Sequence, residues 1–199
     1  KKSNNVRELK THIWDAWADE DGSIGKAYGY QLGVKHKYKE GMFDQVDRVL
    51  YDLKNNPASR RILTNLYVHA DLSEMALYPC AYSMTFNVSG NRLNTILNQR
   101  SNDFLTANNW NVVQYAALTM MMAQVSGLVP GEFVHVIADA HIYDRHIPIV
   151  ESMIQKDPYP APILRINPDI KNFYDFTPDD FILENYRYHE LGEKIPVAI

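Results

Sequence analysis

Residues 82–100, YSMTFNVSGNRLNTILNQR, predict the β-hairpin around which the fold is built. Two β-like runs, Tyr82 to Val88 and Arg92 to Arg100, flank the tripeptide Ser89-Gly90-Asn91. A short glycine-containing loop between two such runs is typical of a hairpin. We therefore expect two antiparallel strands that are joined at Gly90.

Helices are predicted on both sides of this hairpin. On the N-terminal side, Asp44 can cap an amphipathic helix that ends before Pro57, and the run Arg61 to Tyr67 is β-like. The apolar positions of that helix are Val46, Val49, Leu50 and Leu53. On the C-terminal side, residues 111–126 are apolar on nearly all sides, and Gly127 stands where a left-handed cap belongs. This second pattern predicts a buried central helix.

A strand with two different faces is predicted at Val134 to Tyr143, because successive side chains of a strand point to opposite sides. One face is wholly apolar and consists of Val134, Val136, Ala138, Ala140 and Ile142. The other face consists of His135, Ile137, Asp139, His141 and Tyr143. We expect the apolar face to turn towards the core and the polar face to form the wall of a pocket.

The remaining pattern indicates a single α+β domain. A further helix is expected near Pro148, which suits the first helical turn, and short strands at Ile163 to Ile166 and Phe181 to Tyr186. Strands and helices alternate without the regular βαβ rhythm, which favours α+β. No internal repeat, long Gly/Ser linker or change in composition divides the 199 residues.

The composition excludes several classes of protein. With 20 basic and 24 acidic residues, the formal charge is −4 and the isoelectric point is about 6.0, so no DNA partner is expected. The basic run Lys35 to Lys39 is interpreted as a solvated loop. The most apolar stretch, Tyr115 to Val125, is far shorter than the ~20 residues of a membrane-spanning helix. Cys80 is the only cysteine, which precludes an internal disulfide and favours a reducing, cytoplasmic setting.

Cys80 is also the first candidate for chemistry. Pro79 favours a fixed, extended approach to it, and a nearby guanidinium would favour the thiolate, which is the nucleophilic form. One short stretch supplies Gln99, Arg100, Ser101 and Asp103. Together with Arg60-Arg61, the pair Arg100-Ser101 offers fork donors and a hydroxyl that suit a phosphate.

Two other kinds of site compete for the same residues. A cysteine hydrolase would pair Cys80 with His141 or His135 and an orienting Asp139, but no protease signature surrounds the cysteine. A zinc site formed by Cys80, His141 and His146 lacks a tight C-x-x-C or H-E-x-x-H pair. The phosphate site is the third candidate, although an arginine pair taken singly is more often a surface feature.

Several blocks of sequence form a recognisable pattern. They are Ile13 to Trp17, Tyr28-Gly29, Ser59 to Arg61, Met75 to Cys80, Gln99 to Asp103, Asn111 to Tyr115, Pro130 to Phe133, Asp139 to Tyr143 and Pro196 to Ile199. In order and spacing, over essentially the whole chain, they resemble the folate-dependent thymidylate synthases. The resemblance implies the fold of that family, a large twisted mixed β-sheet with a buried central helix and surrounding helices. It also implies one domain, residues 1–199, that lacks the family's N-terminal segment.

The resemblance implies the reductive methylation of dUMP to dTMP. In that reaction 5,10-methylenetetrahydrofolate gives both the one-carbon unit and the hydride, and no metal takes part. Cys80 would be the nucleophile that adds to C6 of the uracil, and Asn111 would hydrogen-bond O4 and N3. Arg100 and Asp103 complete the implied catalytic set.

The same resemblance implies two binding sites. The residues implied to bind substrate are Arg60, Arg61, Gln99, Arg100, Ser101, Asp103, Asn111, His141 and Tyr143. Arg100 and Ser101 would hold the phosphate, and Arg60 and Arg61 would reach it from the partner subunit of a homodimer. His141 and Tyr143 would hold the 3′-hydroxyl of the deoxyribose. The residues implied to bind folate are Trp14, Leu77, Asp103, Ala198 and Ile199, and the C-terminus would close the site.

The chain also departs from the family pattern. Ala81 replaces a common His, Ala107 a usual Gly, and Asn109-Trp110 a Pro-Phe pair. The family's N-terminal phosphate-binding Arg loop and catalytic Glu are not found in this sequence, and general acid/base groups contribute ~100 to 10,000-fold. We therefore expect this chain alone to be catalytically crippled or inactive. The alternatives are a dUMP hydroxymethylase, against which Trp14 argues, and a non-catalytic nucleotide-binding fragment.

Overall fold

The structure, a computed structural model, describes residues 3–192 and 195. The described residues form four α-helices: α1 (Gly29–Gly33), α2 (Gln45–Asn55), α3 (Asn108–Val125) and α4 (Ile147–Met153). The strands are β1 (His36–Tyr38), β2 (Gly41–Phe43), β3 (Leu63–Asn65), β4 (Ala81–Ser89), β5 (Arg92–Gln99), β6 (Asn102–Asp103), β7 (Val129–Ile137), β8 (Ala140–His141), β9 (Ile163–Ile166) and β10 (Phe181–Glu184). This mixture is an α+β fold, as expected.

The central sheet has four strands in the order β3-β4-β5-β7. The first three are antiparallel neighbours, whereas β7 runs parallel to β5 because α3 lies between them in the chain and forms the crossover. Just beyond the ends of β5 and β7, the short strands β6 and β8 pair in parallel, with Asn102 opposite Ala140. Residues from two distant segments are thereby brought side by side at this end of the sheet.

The predicted hairpin is confirmed. β4 and β5 pair along their length, and Gly90 in the turn between them has φ +61°, in the left-handed region that favours glycine. The register shifts between Ala81 and Ser83, so that Tyr82 forms a bulge. A bulge bends its strand, and this one lies two residues after Cys80.

The local helix and strand predictions are also confirmed. α2 follows Asp44, whose carboxylate accepts a hydrogen bond from the backbone N–H of Asp47 at 2.9 Å, and it ends before Pro57. β3 occupies only three residues of its predicted run. α4 contains Pro148 in its first turn, and β9 and β10 pair as antiparallel strands.

One cluster of buried side chains joins the sheet to α2 and α3. Its members include Val49, Leu53, Met84, Phe86, Leu93, Leu97, Tyr115 and Met122. Within this core the hydroxyls of Thr95 and Thr119 lie 2.8 Å apart, and both residues are fully buried. This hydroxyl pair links β5 to α3.

The predicted orientation of β7 is wrong. Val134 and Val136 are 43% and 47% exposed, whereas His135 on the opposite face is half-buried. The reason lies in the register: β7 places His135 beside Leu97, and that face of β5 is the one that α3 covers. In addition, β7 ends at Ile137 and the chain continues in the separate short strand β8.

The central helix is buried on one side only. α3 begins three residues earlier than predicted, and Gly127 has φ +71°, as expected for a left-handed cap. Its buried residues include Tyr115, Thr119, Met122 and Ala123, whereas Val113 is 62% exposed. In the described part of the chain, no helix combines the length and apolar composition that crossing a bilayer requires.

A second, smaller cluster packs the N-terminal segment against the rest. It contains Val6, Ile24, Ala27 and Met75, with Trp14 and Trp17 packed against it. A backbone bridge joins Gly25 to Met75, and Gly25 has φ +67°. A Cβ at Gly25 would lie 1.9 Å from the carbonyl oxygen of Glu74, so this junction requires glycine.

Candidate active site

A large cleft lies where the end of the central sheet, the start of α3 and the N-terminal segment meet. Its volume is about 1010 Å³, enough for ligands larger than a single drug-sized molecule. It is lined by nine residues that the sequence predicts for the site: Trp14, Leu77, Cys80, Gln99, Ser101, Asp103, Asn111, His141 and Tyr143. The structure thus brings together residues that are up to 129 positions apart in the chain (143 minus 14).

Cys80 immediately precedes β4, and the Arg100 side chain holds the two residues before it. The Arg100 guanidinium donates from Nε to the carbonyl of Pro79 at 3.1 Å and from Nη2 to that of Tyr78 at 3.0 Å. Nη2 also lies 3.9 Å from the Cys80 Sγ. The two carbonyls fix the position of the guanidinium beside the thiol sulfur.

Tyr28 is a site residue whose role the sequence did not reveal. Its hydroxyl accepts a hydrogen bond from the backbone N–H of Cys80 at 3.2 Å, and it lines the cleft. Removal from water and the nearby Cys80 raise the pKa of Tyr28 above its ordinary range. Its φ of +39° is unusual for a residue other than glycine, and such strain is common at functional sites.

A chain of side-chain hydrogen bonds fixes the amide of Asn111. The Gln99 Nε2 donates to the Asn111 Oδ1 at 2.9 Å and to the carbonyl of Ser101 at 2.8 Å. The Gln99 Oε1 lies 2.8 Å from the His135 Nε2, and burial lowers the pKa of His135, which favours the neutral ring. Because a Gln oxygen only accepts, the His135 Nε2 is the donor, and Asn111 is left with its Nδ2 free for a ligand.

The carboxylate of Asp103 sits in the turn that leads into α3. Its Oδ1 accepts hydrogen bonds from the backbone N–H groups of Leu105 and Thr106, both at 3.2 Å. The Thr106 hydroxyl donates to the Asp103 Oδ2. Among the described residues that line the cleft, Asp103 is the only carboxylate.

His141 and Tyr143 form a polar corner of the cleft. Their rings meet edge to face with centroids 5.2 Å apart, and the His141 Nδ1 lies 3.3 Å from the Asp139 Oδ1. The pairing of β8 with β6 places His141 beside Asp103. The predicted polar face therefore lines the pocket only at His141 and Tyr143, because the strand is interrupted and its first three residues lie outside the cleft lining.

Five predicted site residues are not among those that line the cleft. One of them is Arg100, whose guanidinium contacts the Cys80 thiol. Arg60 and Arg61 are exposed before β3 and do not line the cleft. Ala198 and Ile199 lie outside the described residues. Ile195 is described and does line the cleft.

The hydrolase and zinc alternatives find no support in the geometry. The described hydrogen bonds of the Cys80 thiol go to the carbonyl of Tyr78 and to Arg100, and none joins it to a histidine. Within residues 3–192 and 195, no three His, Cys, Asp or Glu side chains cluster closely enough to hold a metal ion. Cys80, His141 and His146 therefore do not form the zinc site considered above.

Comparison with known proteins gives a consistent result. The family model described as Thymidylate synthase matches residues 1–199. Thymidylate synthase from Bacillus licheniformis is 49% identical over 202 residues, which cover 100% of this chain and 71% of that protein. Thymidylate synthase 1 from Bacillus subtilis strain 168 is 46% identical over 198 residues, or 98% and 70% of the two chains. The solved thermostable thymidylate synthase A from Bacillus subtilis superimposes with a TM-score of 0.92 at 44% identity, over 100% of this chain and 72% of its own.

Proposed function

The chain belongs to the thymidylate synthase family, and we propose that the cleft around Cys80 is where it carries out the reaction of that family. That reaction is the reductive methylation of dUMP to dTMP, so the protein is a methyltransferase of dTMP biosynthesis. The observation that carries the assignment to this cleft is the placement of Cys80 against Arg100, in a cleft that Asn111 also lines.

We place the uracil ring between the Cys80 thiol and the Asn111 amide, since both residues line the cleft. The Cys80 thiolate forms a bond from Sγ to C6 of the ring, and the electron pair of the C5–C6 double bond shifts towards C5 and O4. The free Nδ2 of Asn111 donates to O4, where negative charge develops, and its Oδ1 accepts from N3–H. Because Gln99 holds the amide in this orientation, the site favours uracil over cytosine, which carries an amino group at C4.

The phosphate and sugar are held at the same end of the sheet. Arg100 keeps donor capacity beyond its bonds to the two carbonyls, and Ser101 follows it on the cleft wall. Together they suit a phosphate, as bidentate and hydroxyl donors do. His141 and Tyr143, at the polar corner, suit the 3′-hydroxyl of the deoxyribose.

The other half of the cleft fits a folate. Trp14, Trp17 and Tyr28 offer flat apolar surface, and the Trp14 ring centroid lies 5.6 and 5.4 Å from those of the other two. Asp103 supplies an acceptor for N–H groups of a pterin, and Leu77 adds apolar surface to the cleft lining. When bound, 5,10-methylenetetrahydrofolate supplies the one-carbon unit and the hydride. We place Ala198 and Ile199 in the role of closing this side against water.

A homodimer is proposed as the working form. The outer face of the central sheet is apolar and exposed, with Leu63, Ile96, Val134 and Val136 between 40% and 49% exposed. Apolar surface that is continuous across neighbouring strands is typical of an interface. Arg60 and Arg61 precede β3 at the edge of this face, are exposed and do not line their own cleft, so we propose that they reach the phosphate site of the partner.

Oligomeric state tests this part of the proposal. Val136→Lys places a charge in the outer face of the sheet, and sedimentation velocity is expected to show a monomer. Val113→Lys is the matched control, since this valine is exposed on α3 and does not line the cleft. A wild-type protein that sediments as a stable monomer would contradict the dimer and the phosphate role of Arg60 and Arg61.

The reaction itself is tested by tritium release from 5-labelled dUMP with methylenetetrahydrofolate. We expect release when residues 1–199 are assayed together with the family's N-terminal segment, and Cys80→Ser in that protein should abolish it while dUMP still binds in a calorimetric titration. Release that is unaffected by Cys80→Ser would refute the nucleophile. The accompanying rise in absorbance at about 340 nm, from dihydrofolate, distinguishes the synthase from a hydroxymethylase, which the comparisons do not favour. We also propose a cytoplasmic location, which the lone cysteine supports.

A further inference from the structure

The carboxylate of Asp103 is held by more donors than its turn requires. The two backbone N–H groups of Leu105 and Thr106 both bond to Oδ1, and this pair alone closes the Asx-type turn before α3. The hydroxyl of Thr106 goes instead to Oδ2, the second oxygen of the carboxylate. Both side chains line the cleft, so this contact lies in its wall.

We propose that Thr106 is a positioning residue for the folate half of the site. Its hydroxyl fixes the rotation of the Asp103 carboxylate, so that the remaining acceptor positions face the cleft in one orientation. The ligand that such an arrangement recognises is a planar ring with adjacent N–H donors, which is the chemistry of a reduced pterin. The inference rests on the proposed function, because that function places the pterin at Asp103.

A second Thr–Asp pair in the chain separates this role from simple capping. The Thr177 hydroxyl donates to the Asp180 Oδ2 at 2.9 Å, also between residues three positions apart. That pair forms a capping box at an exposed 3-10 helix, and neither residue lines the cleft. The two pairs share their chemistry and differ in whether a ligand can reach the carboxylate.

Equilibrium binding tests the inference without turnover. Tetrahydrofolate, which lacks the one-carbon unit, is titrated calorimetrically into protein saturated with dUMP, and dUMP is titrated alone. Thr106→Val keeps the shape of the side chain and removes the hydroxyl, and we expect tetrahydrofolate to bind about tenfold more weakly with no change for dUMP. Thr106→Ser should restore tight binding, and Thr177→Val should change neither affinity.

The outcomes separate the inference from the function on which it rests. Unchanged tetrahydrofolate affinity in Thr106→Val would overturn the positioning role, as would an equal loss for dUMP and tetrahydrofolate. Wild-type protein that binds dUMP and no tetrahydrofolate would instead overturn the proposed folate site. Melting temperatures are measured in parallel, and Thr106→Ala is the second variant if the valine lowers stability.

Discussion

Replacing Gln99 with Met is expected to relax the discrimination between uracil and cytosine. Gln99 makes three hydrogen bonds of 2.8, 2.9 and 2.8 Å, to the Ser101 carbonyl, Asn111 and His135, and it is only 2% exposed. Turning the Asn111 amide over would set its Nδ2 against the Gln99 Nε2, donor against donor. Leaving a buried donor unsatisfied costs about 1 to 3 kcal/mol. In the wild type the reversed amide is therefore rare.

The magnitude follows from this cost. Methionine has nearly the same shape and cannot hold the amide, so Gln99→Met makes both orientations of Asn111 comparably populated. With a cost of about 2 kcal/mol, the affinity for dCMP relative to dUMP should rise about 30-fold. The loss of three hydrogen bonds at about 1 kcal/mol each should also lower the melting temperature by roughly 6 to 12 °C.

Calorimetric titration with dUMP and with dCMP measures both affinities directly. Gln114→Met is the matched control, because this exposed glutamine lines the cleft from α3 and should leave the ratio of affinities unchanged. If Gln99→Met lowered the melting temperature and left the dUMP-to-dCMP ratio within twofold of the wild type, the hydrogen bond to Asn111 would not set the base preference.

Three further predictions concern stability. Burial lowers the pKa of His135, so the neutral ring stabilises the fold above the ordinary pKa of about 6.5, and this stability is lost as the pH falls through the lowered value. His135→Gln should therefore make the midpoint of urea denaturation depend less on pH between pH 7 and 5. Thr119→Val leaves the Thr95 hydroxyl buried without its partner and should lower the free energy of unfolding by about 1 to 3 kcal/mol. The double variant with Thr95→Val should lose less than the sum of the two single changes. Additive losses in urea denaturation would refute the coupling. Gly25→Ala should destabilise the fold by more than the roughly 1 to 2 kcal/mol expected for Gly90→Ala. Both glycines have positive φ, but only Gly25 faces a backbone oxygen. Equal losses of unfolding free energy in urea denaturation would contradict the close contact.

Elements that depend on local signals were predictable from the sequence. Asp44 caps its helix through a contact three residues away, and Gly90 and Gly127 adopt the left-handed conformation that a turn and a helix end require. Each signal acts between neighbours in the chain. The positions of the hairpin, of α2 and of the end of α3 therefore follow from the residues themselves.

The buried face of β7 was not predictable in the same way. Alternation identifies two faces of a strand, but it does not say which one another element covers. Val134 and Val136 suggested a core face, whereas the crossover through α3 covers the side that carries His135. When a subunit interface also needs apolar residues, hydrophobicity alone cannot tell it from the core.

Residues of the cleft could be predicted from the sequence where they belong to the blocks that resemble the family. Cys80, Asn111 and Asp103 all line the cleft, as the resemblance implies. Tyr28 contacts the backbone of Cys80 across 52 positions, and no local pattern indicates such a contact. The hydrogen bond from Thr106 to Asp103 joins residues only three positions apart in the chain. A threonine in a loop is nevertheless too common to indicate a ligand site by itself.

The composition of the cleft has a consequence for how the protein is made. Its lining residues extend from Ser3 to Ile195, so both ends of the described chain contribute to one wall or another. During synthesis the N-terminal cluster and the hairpin emerge from the ribosome well before Ile195 is released from the exit tunnel. A nascent chain can therefore fold its sheet while translation continues, but the complete pocket forms only after Ile195 has left the exit tunnel.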